Sequence, residues 1–177
     1  MKILKLKRFA VTALILLAAY LLQCTVFPSL ELAGIKPNLL LIVTASFGVM
    51  RGSREGMLIG FAGGILTDIQ FGEMIGFYAL IYLLIGFVNG LFERMYFDED
   101  IKLPLLLITI SEFVYGIVIY FLMFMLRSDF DFLFYLNRVI VPELIYTIVI
   151  TLGFYPLILF INHKLEAEEK RSASKFV

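Results

Sequence analysis

The fold is decided by the run Gly56-Met-Leu-Ile-Gly60-Phe-Ala-Gly63-Gly64-Ile-Leu-Thr-Asp68, which is apolar, contains four glycines and ends on a carboxylate. In water each of these glycines would weaken a helix by about 1 kcal/mol relative to alanine. In a bilayer they allow the backbone of a neighbouring helix to approach closely. An acid near membrane depth is costly and usually has a structural or functional reason. The run therefore predicts a closely packed membrane helix.

The composition is that of a polytopic membrane protein. Of the 177 residues, 61% are hydrophobic and 17% are charged, whereas a soluble domain is about half apolar and a quarter charged. The longest polar stretch, residues 164–177, is too short to bury a core. The formal net charge of +0 does not indicate nucleic-acid binding. We expect one transmembrane domain over residues 1–163 and a charged cytoplasmic tail over residues 164–177.

Six segments are candidate membrane spans, since a span needs about 20 apolar residues. They are residues 9–27, 37–50, 56–71, 75–92, 103–126 and 139–161. The first resembles a signal peptide, but Gln23 stands where a lipoprotein site needs a small residue, so we interpret it as a retained span. The second and third are short, since fourteen residues rise only about 21 Å. They are expected to be partly buried by neighbours or to enter and leave the membrane as a helical hairpin.

The lysines and arginines orient these spans, because cytoplasmic loops carry an excess of both. With the N-terminus inside, twelve of the 15 basic residues face the cytoplasm. The three that fall outside are Lys36, Arg127 and Arg138. The sequence therefore predicts an all-α protein with six transmembrane helices and both termini in the cytoplasm.

Catalytic and metal-binding residues are not predicted. Cys24 and His163 are the only residues of their types and lie at opposite ends of the predicted spans, so they form neither a catalytic pair nor a metal cluster. The glycines around Gly60 lack the Lys-Ser/Thr that follows in a phosphate-binding loop. We expect no enzyme activity, no cofactor and no metal.

Three acids lie within predicted spans: Asp68, Glu112 and Glu143. They either form a proton or cation path, as in transporters, or are protonated or paired inside the bundle. Asp68 lies near the outer interface, where it can also cap a helix end. The candidate partners are Gln23 for Asp68, Arg138 for Glu143, and Thr147 or Tyr146 for Glu112. We favour the structural interpretation, because intramembrane acids usually find partners.

Glycine pairs at spacing four run through the second, third and fourth segments. The pairs are Gly48/Gly52, Gly56/Gly60, Gly60/Gly64, Gly72/Gly76 and Gly86/Gly90. They pack within the chain or against another subunit. We favour packing within the chain, because consecutive helices with short loops are neighbours.

Two loops carry further signals. Gly34 and Pro37 predict a turn followed by proline at the first position of the second helix. The longest outer loop, residues 127–137, is unusually aromatic, and it either lies in the lipid headgroups or contacts a partner.

Together these motifs resemble the rod shape-determining protein MreD family. The family pattern has Gln and Thr/Ser-x-Phe at the end of span one, followed by a Gly-x-x-Pro-Asn/Asp-Leu-Leu-Leu turn. A glycine-rich span ending Gly-x-x-x-Asp and a Gly-x-x-Gly/Ala-Leu-x-Tyr span come next. Here they read Gln23-Cys-Thr25-Val-Phe27, Gly34-Ile-Lys-Pro37-Asn38-Leu39-Leu40-Leu41, Gly60-Phe61-Ala-Gly63-Gly64-Ile-Leu-Thr-Asp68, and Gly76-Phe-Tyr-Ala79-Leu80-Ile-Tyr82 with Gly86. The match extends from Gln23 to Gly90, and beyond it only length, span number and hydropathy agree.

The resemblance implies a non-catalytic scaffold of the complex that elongates the lateral cell wall in the bacterial cytoplasmic membrane. Its implied partners are MreC and, directly or through MreC, a RodA-type SEDS glycosyltransferase, a class B penicillin-binding protein and the MreB filament. It also implies a fold similar to the substrate-binding component of energy-coupling-factor transporters. The candidate structural or partner-binding residues are Gln23, Phe27, Pro37, Asn38, Gly60, Gly64, Asp68, Gly76, Gly86, Glu112 and Glu143.

Two alternatives stay open. The first is a substrate-binding subunit of a vitamin-type transporter, although no alanines at spacing four occur between Ala10 and Ala19 to dock an energising subunit. The second is an ion-coupled pathway that uses the three membrane acids.

Overall fold

The fold is all-α, as predicted. The computed structural model describes residues 2–31, 34–71, 75–96, 101–124 and 131–173, and it has no strand within them. The helices are α1 (Lys2–Thr25), α2 (Leu39–Arg51), α3 (Ser53–Phe71), α4 (Phe77–Gly90), α5 (Lys102–Phe124), α6 (Phe132–Tyr135) and α7 (Val141–Ala173). A π-helical turn, Leu136–Ile140, joins α6 to α7, so the two are one continuous helical rod.

Helix α2 is the centre of the bundle. Every residue from Leu39 to Met50 is buried, and α1, α3, α4, α5 and α7 all contact this helix. Its thirteen residues are too few to cross a bilayer of ordinary thickness without help from neighbours. The expectation that the second segment is partly buried by its neighbours is therefore confirmed, and the burial is complete rather than partial.

Helices α3 and α4 pack backbone against backbone through their glycines. A Cβ placed on Gly64 would lie 2.6 Å from the carbonyl oxygen of Tyr78, and one on Gly48 of α2 would lie 2.9 Å from that of Gly86. Gly56 and Gly60 likewise leave no room for a side chain beside the α4 backbone. The prediction that the glycines pack within the chain is confirmed for Gly48, Gly56, Gly60 and Gly64, but not for Gly76, where a Cβ would have no neighbour within 4 Å. Gly72, at the end of this series, lies outside the described residues.

Among the residues that the structure describes, three helical stretches are long and apolar enough to cross a membrane: Leu6–Ser29, Lys102–Leu122 and Phe132–Arg171. Leu39–Arg51 and Phe77–Gly90 are apolar but shorter. The chain therefore has the character of a membrane protein. A helix is present for each of the six predicted spans, and their crossing of the bilayer six times stays a prediction.

The aromatic stretch at residues 127–137 is not simply a loop. Residues 125–130 lie outside the described residues, but residues 132–137 are helical and lead directly into α7. The rings of Phe132 and Tyr135 each lie 5.1 Å from the ring of Tyr120 on α5, so the two half-buried rings pack against that helix. Leu133 and Phe134 are exposed large apolar residues of this stretch.

The tail predicted at residues 164–177 is largely a continuation of α7, which remains helical to Ala173. Leu165 is buried, Glu166 pairs with Arg51 of α2, and Glu168 and Glu169 pair with the N-terminal part of α1. The charged composition of this stretch predicts a polar tail, because composition alone does not show that the stretch continues a helix. The acidic loop at residues 98–100 lies outside the described residues.

Replacing Gly64 with alanine is expected to destabilise the protein by about 1–3 kcal/mol, because the new methyl group must displace the α4 backbone. The matched control is Gly153→Ala on α7, where a Cβ has no neighbour within 4 Å. Both variants are unfolded in mixed micelles by increasing the fraction of denaturing detergent, and the midpoint of unfolding is measured. Equal midpoints for the two would contradict the close contact between α3 and α4.

Candidate functional site

The N-terminus of α2 is capped by the residue that precedes it and by side chains from α1 and α7. Asn38 is the N-cap residue, and its Oδ1 accepts a hydrogen bond from the Leu41 N–H at 3.2 Å. Gln23 Oε1 on α1 accepts from the Leu40 N–H at 3.1 Å, and Thr147 Oγ1 on α7 accepts from the Asn38 N–H at 3.2 Å. These contacts satisfy the backbone donors that the start of a buried helix leaves without intrahelical partners.

Pro37 is not at the first helical position, contrary to the prediction. The helix begins two residues later, at Leu39. The reason is that the Asn38 side chain is a strong N-cap and holds its own backbone outside helical geometry, at φ −94° and ψ 80°. Gly34 has a φ of +83°, which agrees with its predicted place in a turn.

The N-terminus of α4 is capped by Asp68, which is only 1% exposed. Its Oδ2 accepts from the N–H groups of Gly76 at 2.9 Å and Ala79 at 3.1 Å, and its Oδ1 accepts from the Tyr78 N–H at 2.8 Å. Gly76 permits this turn because its φ is +105°. A carboxylate at this place is also favoured by the positive end of the helix dipole.

Asp68 therefore occupies a helix cap, one of the two roles considered for it. Gln23 is not its partner, since the Gln23 amide oxygen accepts from the first turn of α2. Asp68 and Gln23 nevertheless lie at the same end of the bundle and have the same role, because each accepts hydrogen bonds from a helix N-terminus.

A buried chain of polar groups links the α2 cap to Tyr82 of α4 and to Glu112 in the middle of the bundle. The Tyr82 hydroxyl of α4 donates to Asn38 Oδ1 at 2.7 Å. Thr147 Oγ1, which accepts from Asn38, donates to Glu112 Oε1 of α5 at 3.4 Å. Glu112 is 3% exposed, and within the described part of the chain its Oε2 has no hydrogen-bond partner. Thr147 was one of the two partners considered for Glu112.

The remaining candidates lie around this network. Phe27 is buried, with its ring 6.1 Å from that of Tyr146, whose hydroxyl donates to the Leu30 carbonyl at 2.9 Å. Glu143 is in the first turn of α7. Arg138 does not pair with Glu143 in the described structure; its guanidinium lies 5.7 Å from the centre of the Phe134 ring. The two residues are five apart, which is not one of the separations of three or four that bring side chains together on an α-helix.

An ionic cluster at the opposite end of the bundle was missed by sequence reasoning. Arg8 binds both oxygens of Glu169 at 3.1 Å and Glu55 at 3.2 Å. Arg51 lies 3.3 Å from Glu166, and its Nε donates to Asn162 at 2.8 Å. The basic N-terminus and the acidic stretch after residue 164 were the available signal, since both were predicted on the same side of the membrane.

This cluster brings the beginning of α1 and the end of α7 together, so the two described chain ends lie at one end of the bundle. An even number of crossings requires that arrangement. Cys24 contacts Gln70 at the other end, far along the bundle from Asn162 and the adjoining His163. Chemically, the polar groups of this protein satisfy helix ends and pair charges. In the described residues no three His, Cys, Asp or Glu side chains group as metal ligands would.

Comparison with known families gives one match over most of the chain. A family model described as rod shape-determining protein MreD matches residues 4–164. No curated protein and no solved structure matches the chain.

Replacing Asp68 with alanine is expected to cost about 2 kcal/mol or more, because three backbone N–H groups lose their acceptor. Asp68→Asn keeps one carbonyl oxygen and should lose less. Glu31→Ala is the control, since Glu31 is an exposed acid paired with Lys36 at 3.8 Å. The midpoint of detergent-induced unfolding is measured for all three variants. An Asp68→Ala midpoint equal to that of Glu31→Ala would exclude a capping role.

Proposed function

Because the chain belongs to the MreD family of rod shape-determining proteins, we propose that it is a non-catalytic scaffold of the cell-elongation complex in the bacterial cytoplasmic membrane. The family match over residues 4–164 carries this proposal. A role in determining rod shape follows from membership itself. The scaffold mechanism and the identity of the bound proteins are the proposed part.

The distribution of polar groups supports a scaffold. Asn38, Asp68 and Thr147 are buried and engaged with backbone N–H groups, so they stabilise the bundle rather than line an open site. The long helices α5 and α7 instead expose large apolar side chains, including Leu106, Ile145 and Leu152. Such surfaces meet lipid or the membrane helices of other proteins. A bundle of this kind offers docking faces without a reactive centre.

The proposed partners are MreC and, directly or through MreC, a RodA-type glycosyltransferase and a class B penicillin-binding protein, with an indirect link to the MreB filament. Both termini are proposed to be cytoplasmic on the basis of the basic-residue asymmetry. The ionic cluster of Arg8, Arg51 and their glutamate partners would then lie at the cytoplasmic surface. Charged pairs are less costly there than within lipid.

The vitamin-type transporter alternative receives no support from the family match. An ion pathway is motivated by one observation, the Glu112 oxygen that lacks a hydrogen-bond partner in the described structure. A buried carboxyl without a counter-charge is more stable when it is neutral. A neutral Glu112 acts as a hydrogen-bonding group of the core, which agrees with the scaffold.

Depleting this protein in a rod-shaped bacterial host is expected to give round cells, because the complex that elongates the lateral wall loses a membrane subunit. Microscopy of cell width and length over successive divisions measures the effect. The wild-type gene supplied in trans should restore the rods. Unchanged rods that acquire a requirement for a nutrient would instead favour transport.

Glu112→Gln is expected to preserve cell shape and protein level, because glutamine keeps the carbonyl oxygen that accepts from Thr147 and approximates a neutral acid. Glu112→Ala, which removes that acceptor, should destabilise the protein by about 1–3 kcal/mol. Cell dimensions and the amount of membrane-inserted protein are measured together. Rounding by Glu112→Gln at normal protein level would show that the ionisable group itself is needed.

A further inference from the structure

Helices α3 and α4, which pack directly against each other, each expose one apolar side. The exposed residues follow helical spacing, so each set lies along one side of its helix. Arg54 and Gln70 are exposed polar residues near the two ends of this side on α3. We call the two exposed sides together the α3–α4 flank, and its large apolar residues are Leu58, Phe61 and Ile69 of α3 and Leu80, Leu84, Phe87, Val88 and Leu91 of α4.

The α3–α4 flank is shorter than an ordinary bilayer is thick. The rise from Arg54 to Gln70 along α3 is about 24 Å, and the 14 residues of α4 rise about 21 Å. Neither helix extends far past the other, since Gly90 lies against the backbone of Ser53 at one end and Asp68 caps α4 at the other. The hydrocarbon core of a bilayer is about 30 Å thick, so the flank falls short of it by about 6 Å or more.

Helix α5, by contrast, is long enough to match an ordinary bilayer closely. It has 23 residues, and among those whose exposure is described Lys102, its first residue, is the exposed polar one. From Leu103 to Leu122 the helix rises about 28 Å. Along this length Leu106, Ile110 and Leu122 are exposed. The bundle therefore presents apolar surfaces of two different heights.

The side chains of the α3–α4 flank fit lipid better than another protein helix. Membrane helices approach each other through small residues or polar contacts. The glycines within α3 and α4 are all buried in the bundle, and Ala62 is the only small residue exposed on the described part of the flank. Its other exposed residues between the polar ends are leucine, isoleucine, valine and phenylalanine. Branched and aromatic side chains of this size pack well against acyl chains but keep a second backbone at a distance.

From these observations we propose that the α3–α4 flank is a lipid-binding surface that thins the bilayer beside it. The lipids in contact with this flank then favour shorter acyl chains than the lipids beside α5. A hydrophobic surface shorter than the hydrocarbon core is accommodated by local thinning, and long flanking side chains reach towards the headgroups. Arg54 is placed to do this, because its charged end can reach lipid phosphates while its methylene groups stay in the hydrocarbon. The inference goes beyond the scaffold function and does not depend on it.

The absence of tryptophan from the chain provides a direct test, because a single introduced tryptophan reports the lipids at one flank. Leu84→Trp places the reporter near the middle of α4, at a residue that is 51% exposed. The matched control is Phe113→Trp near the middle of α5, at a residue that is 40% exposed. Each purified variant is reconstituted at low density into vesicles that contain brominated dioleoylphosphatidylcholine, which quenches tryptophan fluorescence on contact. Unbrominated phosphatidylcholines with shorter (dimyristoleoyl) or longer (dierucoyl) chains then compete with the quencher.

At Leu84→Trp the short-chain lipid should compete about twofold better than the long-chain lipid, because it matches the height of the flank. At Phe113→Trp this preference should be absent or reversed. The same preference at both positions would overturn the proposal. Weak quenching of Leu84→Trp by every lipid, with normal quenching of Phe113→Trp, would show that a second copy of the chain covers the flank, and would overturn it as well.

A second pair of reporters protects the test against a variant that does not fold. The midpoint of detergent-induced unfolding is compared with that of the wild-type protein for both tryptophan variants. If either midpoint is lowered, Val88→Trp on α4 and Val114→Trp on α5 repeat the comparison, at residues that are 50% and 47% exposed. The competition uses purified protein, so its result does not change if depletion of the protein leaves cell shape unaltered.

Discussion

The structure depends on satisfying the backbone N–H groups at the beginnings of two short helices, α2 and α4, inside an apolar bundle. A helix that starts in water leaves these donors to solvent, but a buried start must find acceptors in the protein. Gln23, Asn38 and Thr147 supply them for α2, and Asp68 supplies three for α4. Those side chains come from four different elements, so satisfying the donors also fixes how the elements meet.

The Asp68 cap and the glycine contacts both determine how α3 packs against α4. Asp68 sets where α4 begins relative to α3, and Gly56, Gly60 and Gly64 set how closely the two helices run from that point. The hydrogen bond from Tyr82 to Asn38 then ties α4 to the start of α2. The residues of the family motifs are thus largely the parts of one capping and packing arrangement, which explains their order along the chain.

Different kinds of interaction stabilise the two ends of the bundle. One end uses neutral and acidic acceptors for backbone donors, and the other uses pairs of opposite charge between Arg8, Arg51 and glutamates of α3 and α7. The proposed scaffold function would be served by these ties, because docking faces are useful only if their spacing is constant. Helix α1 differs from the rest of the bundle, since its middle contributes little buried surface and its ends carry most of its polar contacts.

The sequence by itself determined the membrane character, the all-α class, the family and the close packing of the glycine-rich helix, because composition, apolar length and glycine spacing are local properties of the chain. It also placed Asp68 at a helix end. Only the tertiary structure decided which donors each polar residue meets, that α2 is wholly buried, and that the aromatic stretch and the charged tail extend α7. Capping partners such as Gln23 and Thr147, and ion pairs such as Arg8 with Glu169, lie far apart in sequence. Their pairing depends on the three-dimensional meeting of helix ends, which no local pattern contains.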